Sequence, residues 1–286
     1  MIKFGPGGNS DSFIKEGHKS SLDVPAWLSA KGLNAFEYEC TRGVKISEAM
    51  ARTFAKQAER YDISLSIHAP YYINLASQEE KIQQSSIGHI LQTLRAADWM
   101  GATTVVIHPG TAGKIAREDA LNSAIILLTK VVELMHEKDY THISLCPETM
   151  GKNNQLGTVD EIIKLCKIAP EIIKPTIDFG HLHALTQGGM DKAINFKRVI
   201  DKIASQLGSE IARNVHVHFS PVEFTKGGEK KHHTLANKEF GPDFGYFAEV
   251  IVQDNLTPTI ICESAGTQAE DAMTFMNIFR SYGGVI

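Results

Sequence analysis

Short apolar runs rich in β-branched residues recur along the whole chain. They are "IKFG" (2–5), "AFEYE" (35–39), "SLSIH" (64–68), "TTVVIH" (103–108), "HISLCPE" (142–148), "PTID" (175–178), "NVHVHF" (214–219) and "PTIICE" (258–263). Each has the length of a strand, and most stay apolar to their last residue, as parallel strands covered on both faces do. Between them the period changes. "ISEAMARTFAKQAERY", "IQQSSIGHILQTLRAADWM" and "REDALNSAIILLTKVVELMHEK" set apolar residues three and four apart, along one helical stripe. Thr158 with Glu161 and Thr267 with Glu270 have the spacing of capping boxes that open two later helices. Strand and helix alternate eight times without a Pro/Ser-rich linker or a break in composition. The pattern predicts an α/β fold of the (β/α)8 type, a TIM barrel, as a single domain over residues 1–286. One stretch escapes both periods. "KHHTLANKEF" (231–240), preceded by Gly227 and Gly228, reads as a loop.

Polar residues gather where the strands stop. His68, His108, Glu148, Asp178 and Glu263 each close a run, and His216 lies inside "NVHVHF". In a (β/α)8 barrel those ends converge on the face where active sites are built. Taken singly, a strand-end histidine is ordinarily structural, and a strand-end carboxylate commonly caps the next helix. Together, three imidazoles and three carboxylates in a partly dry mouth repel or go unsatisfied unless cations neutralise them. The donor set suits zinc, manganese or a similar divalent ion. It exceeds what one tetrahedral ion takes, which implies at least two metals, bridged by a carboxylate. Paired ions about 3.5–4 Å apart are a usual device for displacement at phosphorus.

The motifs "HAPYYINLAS" (68–77), "IHPG" (107–110), "PET" (147–149), "IDFGH" (177–181), "HVHFS" (216–220), "HHTL" (232–235) and "CES" (262–264) span nearly the whole chain. In order and spacing they resemble the endonuclease IV family, metal-dependent apurinic/apyrimidinic endonucleases built on a (β/α)8 barrel. The resemblance implies cleavage of DNA 5′ to an abasic site by a zinc cluster, leaving a 3′-OH. It implies that His68, His108 and Glu148 hold one zinc. Glu148 then bridges to a second, held also by Asp178, His216 and Glu263, while His181 and His232 belong to a third. Glu148 and Glu263 become the catalytic carboxylates, the first as bridge and the second orienting the nucleophile. Tyr71 matches a tyrosine that inserts at the lesion, or else packs under the barrel loops. Arg42 falls near a DNA-penetrating arginine, or else is a solvated loop residue. His218 and His233 are read as supporting residues behind the ligands.

The chain departs from that family at the third site. The family has Asp-x-His-His there, and Lys230 fills the aspartate's position. A protonated lysine offers no lone pair, so Lys230 either contacts a substrate phosphate or marks a weakened third site. Glu229, one residue earlier, substitutes only if the segment shifts. The net charge of −4 gives no global pull toward nucleic acid, so a DNA partner must be held by local cations. The alternative is a sugar or sugar-phosphate isomerase or epimerase of the related xylose-isomerase-like barrels, which use histidines and carboxylates around one or two divalent ions. No apolar run approaches the ~20 residues of a bilayer span, and the start lacks the apolar stretch of a signal peptide. Cys40, Cys146, Cys166 and Cys262 are far apart and read as free thiols. The expectation is a cytoplasmic monomer with no membrane or protein partner.

Overall fold

The eight apolar runs become the eight strands of a barrel in a computed structural model that describes residues 1–286. They are β1 (Lys3–Pro6), β2 (Ala35–Glu39), β3 (Ser64–His68), β4 (Thr104–Ile107), β5 (Ser144–Pro147), β6 (Thr176–Asp178) and β7 (His216–Phe219). A hairpin, β8 (Val222–Thr225) and β9 (Gly228–His232), intervenes before the last barrel strand, β10 (Thr259–Cys262). Parallel ladders run β2-β3-β4-β5 and β6-β7-β10-β1. Single bridges between Gly7 and Glu37 and between Glu148 and Thr176 join the two arcs, closing the ring. Closure leaves no free edge among the short strands.

Helices cover the outside. Ala120, Ala124, Leu128, Val131 and Met135 are sealed against the barrel from the helix Arg117–Glu137. The Thr158 box forms: its hydroxyl accepts from the Glu161 amide at 3.3 Å, and Glu161 accepts from the Thr158 amide at 2.9 Å. The Thr267 box does not, because that hydroxyl turns to Asp271 Oδ2 at 3.0 Å and leaves the helix Gln268–Ser281 without a side-chain cap. All four cysteines are free and buried. No helix is long and apolar enough to cross a membrane.

Two features depart from the expected plan. The stretch read as a loop contains the end of β9, paired antiparallel to β8. Its alternation is disguised by an irregularity: Glu223 pairs with Lys231 and Phe224 with Glu229, so Lys230 is an extra residue without a partner. The barrel interior is also polar. Glu37, Ser66, His216 and His218 are all buried inside it, where aliphatic layers are usual.

Candidate metal centre

β3 ends in His68, and residues beyond β4 and β5 bring His108 and Glu148 to the same rim. Glu148 Oε2 lies 3.4 Å from His68 Nε2 and 3.1 Å from His108 Nε2. Its other oxygen lies 2.8 Å from His218 Nδ1, which in turn is 3.2 Å from Glu263 Oε1. Glu148 is therefore the hub, as its place between the two expected ligand sets requires.

Register decides which histidine of "HVHF" belongs here. Both alternate residues of β7 face inward. Asp178, the last residue of β6, is level with His218, whereas His216 is level with Thr176, one layer deeper. His216 Nε2 binds Glu37 Oε2 at 2.8 Å and does not reach Glu148. The structure thus brings His218, expected only as a support, to the Glu148 cluster, and places His216, expected there as a ligand, in a deeper group with Glu37 and His218. Glu37 lies beneath, taking 2.7 Å and 2.8 Å hydrogen bonds from Ser66 and His216, with His218 Nε2 2.8 Å from its second oxygen.

A second cluster adjoins the first. His181 opens the helix that follows β6, where its amide caps onto Asp178 Oδ1 at 2.7 Å. Its Nε2 is 3.4 Å from Glu229, and His232 Nε2 is 3.6 Å from the same carboxylate. The bulge at Lys230 is what turns both Glu229 and His232, three residues apart, to the cavity side. Gly151 permits this approach, since a Cβ there would stand 2.6 Å from Glu229 Cβ and 3.1 Å from the His181 ring. Lys230 consequently points outward, 58% exposed, and pairs with Glu223 at 2.5 Å. It lines no part of the cavity, so a substrate phosphate would meet it only outside the pocket. Arg42 is likewise exposed and outside the lining, while its neighbour Thr41 is in it. Tyr71 does line the cavity, stacked on His108 at 5.5 Å and 55% exposed.

The residues fit a cation set. Several histidines have one ring nitrogen engaged and the other facing a carboxylate. Nδ1 of His68 meets Ala69 O, that of His181 meets Thr149 O, and that of His232 meets Ser220 Oγ, each within 2.9 Å. Fixing one nitrogen in this way sets the tautomer that leaves the other free to ligate. Asp178 Oδ2 is buried with no hydrogen-bond partner, beside Glu148 and His181, and an orphaned carboxylate oxygen in a dry site calls for a cation. Burial opposes the charge on Glu148, yet His218, His108 and His68 hold its carboxyl well below the usual range. Burial instead pushes the carboxyls of Glu39 and Glu263 up, to about 8 and about 7. Glu37 and Glu39 were not singled out in the sequence, although two glutamates at period two in an otherwise apolar strand signal an inward polar pair.

These groups line a cavity of about 590 Å³ at the C-terminal end of the strands, with Lys152 its only ammonium. A closed barrel with clustered imidazoles and carboxylates at that end defines a class of protein with the donor groups to hold a cation over a pocket. Residues 25–279 match the family described as xylose isomerase-like TIM barrel. The chain belongs to that family, as a divergent, endonuclease IV-like member. An uncharacterized protein of Methanocaldococcus jannaschii is 32% identical over 280 residues, covering 98% of this chain and 97% of that one. A protein of Aquifex aeolicus named "Probable endonuclease 4" is 26% identical over 276 residues, covering 90% and 95%. Among solved structures, a D-tagatose 3-epimerase-like protein superposes with a TM-score of 0.69 at 21% identity over 98% and 97% of the chains. Endonuclease IV from Thermus thermophilus does so at 0.67 and 19%, over 98% of each. At those identities the two superpositions show the fold.

Proposed function

We propose that the protein is a metal-dependent phosphodiesterase of the endonuclease IV type, cutting duplex DNA 5′ to an abasic site. The observation that carries this reading is the unbroken series of ligand groups from His68 through Glu148 to Glu229 and His232. Such a series exceeds the needs of one cation, and one-metal sugar chemistry has no use for the outlying trio His181, Glu229 and His232. In this reading His68, His108 and Glu148 would hold one zinc, Glu148, Asp178, His218 and Glu263 a second, and the outlying trio a third. Manganese is the alternative for the same donors. Ions held there would supply Lewis acidity and charge neutralisation at the phosphate.

The chain's own groups set the geometry. Glu148, its side chain 1% exposed, holds the hub, while Glu263, at 18%, opens to the cavity and orients the attacking water. Tyr71 presents its free face beside His108 to the DNA at the lesion. Lys152 takes a phosphate oxygen, since it alone in the lining carries a permanent positive charge.

The second reading, a sugar or sugar-phosphate isomerase or epimerase, is favoured by the cavity's volume of 590 Å³, which is in the range of small-ligand pockets. One experiment separates the two. A duplex with a single abasic site is incubated with protein whose metal content is measured on the same sample. A nick 5′ to the lesion leaving a 3′-OH, absent from Glu148→Gln, is expected. An intact duplex, with pentose or hexose phosphates converted instead, overturns the nuclease.

A further inference from the structure

β1 separates β10 from β2 in the ring, and beyond Pro6 it continues as Gly7 and Gly8. Their missing side chains leave a gap between the two neighbouring strands. A Cβ on Gly7 would stand 3.3 Å from Glu39 Oε1 and 3.4 Å from Ile261 Cγ2, and one on Gly8 would stand 3.2 Å from Glu39 Cγ. Three carboxylates enter that gap. Glu37 and Glu39, two apart on β2, share the inward face, and Glu263 follows β10. One oxygen from each lies within 4.8 Å of the other two. Glu37 and Glu39 belong neither to the metal pair nor to the outlying trio. Glu37 Oε2 accepts from Ser66 at 2.7 Å and pairs with His216 Nε2 at 2.8 Å. Its Oε1 is buried with no hydrogen-bond partner, because His218 Nε2, although 2.8 Å away, is out of line to donate. Burial and the charges of Glu37 and Glu263 oppose ionisation of Glu39.

Three carboxylates crowded into a dry gap repel one another unless a cation joins them. The donors of this group are all oxygens, with no imidazole or thiolate among them. Such a set suits a hard ion that takes carboxylate and water, magnesium or manganese, better than it suits zinc. Around an octahedral ion with bonds of about 2.1 Å, adjacent ligand oxygens stand about 3 Å apart and opposite ones about 4.2 Å. The spacing of the three oxygens therefore closes on such an ion with small side-chain movements. Gly7, Gly8, Glu39 and Glu263 also line the cavity, so the remaining coordination positions open to water or to an oxygen of a bound ligand. We propose that Glu37, Glu39 and Glu263 hold a hard divalent cation, Mg2+ or Mn2+, in the gap at the end of β1, separate from the zinc positions. Glu263 is shared with the second zinc, and in that respect alone the proposal rests on the reading of the mouth as a zinc cluster.

The test counts two metals on one sample. The full chain is stripped with a chelator and loaded with Zn2+, and its zinc is measured by elemental analysis. Mn2+ is then added, and the bound fraction is read from the loss of the paramagnetic resonance signal of the free hydrated ion. Wild type is expected to take up one equivalent of Mn2+ without releasing zinc, and Mg2+ is expected to compete for it. Glu39→Gln is expected to weaken that uptake by about tenfold or more with zinc unchanged, since even a partner behind a ligand is worth about 10–100-fold. Glu37→Gln is expected to do the same where circular dichroism shows it folded; Glu39→Gln decides alone where it is not. Glu229→Gln, in the outlying trio, is expected to lose zinc and keep the Mn2+ uptake. The proposal is overturned if no Mn2+ binds up to about 1 mM, the weak end of oxygen-ligand sites, or if each Mn2+ displaces a zinc. It is equally overturned if Glu39→Gln binds Mn2+ as wild type does, or if that variant loses zinc. A shortfall of zinc before Mn2+ is added overturns the zinc cluster instead, and the Mn2+ count still decides the proposal.

Discussion

Replacing His218 and His216 in turn tests the register on which the metal centre depends. His218 Nδ1 lies 2.8 Å from Glu148 and 3.2 Å from Glu263, so His218→Ala removes a donor between two carboxylates. Structural zinc bound by four ligands is worth about 10–16 kcal/mol. One ligand in four is then about 3 kcal/mol, or roughly a hundredfold in affinity at about 1.4 kcal/mol per decade. His216 touches the centre only through Glu37, which it meets at 2.8 Å. A residue acting at one remove costs about tenfold or less. Competition for zinc against a chromophoric chelator measures both variants, with circular dichroism confirming that each keeps its helices. His218→Ala is expected to lose the metal pair at chelator concentrations where His216→Ala retains it. The reverse order would show that the deeper histidine is the ligand and that the level of Asp178 with His218 has no bearing on the centre.

Two further outcomes follow from neighbouring contacts. Glu161 accepts from Arg117 at 2.5 and 2.8 Å and from the amides of Gly157 and Thr158 at 2.9 Å, pinning the segment that carries Lys152 and Gln155. Glu161→Gln leaves about two donors short and is expected to cost about 2–3 kcal/mol after allowance for the partly exposed arginine, a fall of roughly 4–6 °C in Tm. Burial opposes the Glu161 charge, but Arg117 and the two amides win and lower its carboxyl below 4.5. Its stabilisation is therefore complete above that value and fades as pH falls through the folded value, so wild type and variant should converge in acid; a constant gap across pH refutes the pairing. At the bulge, Glu229→Gln is expected to release one equivalent of metal, and Lys230→Ala none, because the Lys230–Glu223 pair is a solvent-screened surface contact outside the cavity. Equal losses in elemental analysis would place Lys230 in the site after all.

The barrel was legible because its signal is local: a strand buried on both faces reads as a short apolar run, and all eight runs became strands. His68, His108, Glu148, Asp178 and Glu263 were legible for a related reason, since each ends its run and the end of a barrel strand lies at the mouth. His218 was not, because a period of two sends His216 and His218 to the same side and only pairing with β6 says which reaches the rim. The hairpin was hidden by its own irregularity. A bulge adds one residue, so inward positions fall three apart where an unbroken strand would set them two or four apart. Glu229, Lys230 and His232 show the consequence. Lys230 stands where the endonuclease IV pattern carries an acidic ligand, yet the extra residue rotates it out and brings Glu229 in. The spacing changed and the backbone changed with it, so the acidic group still faces both histidines.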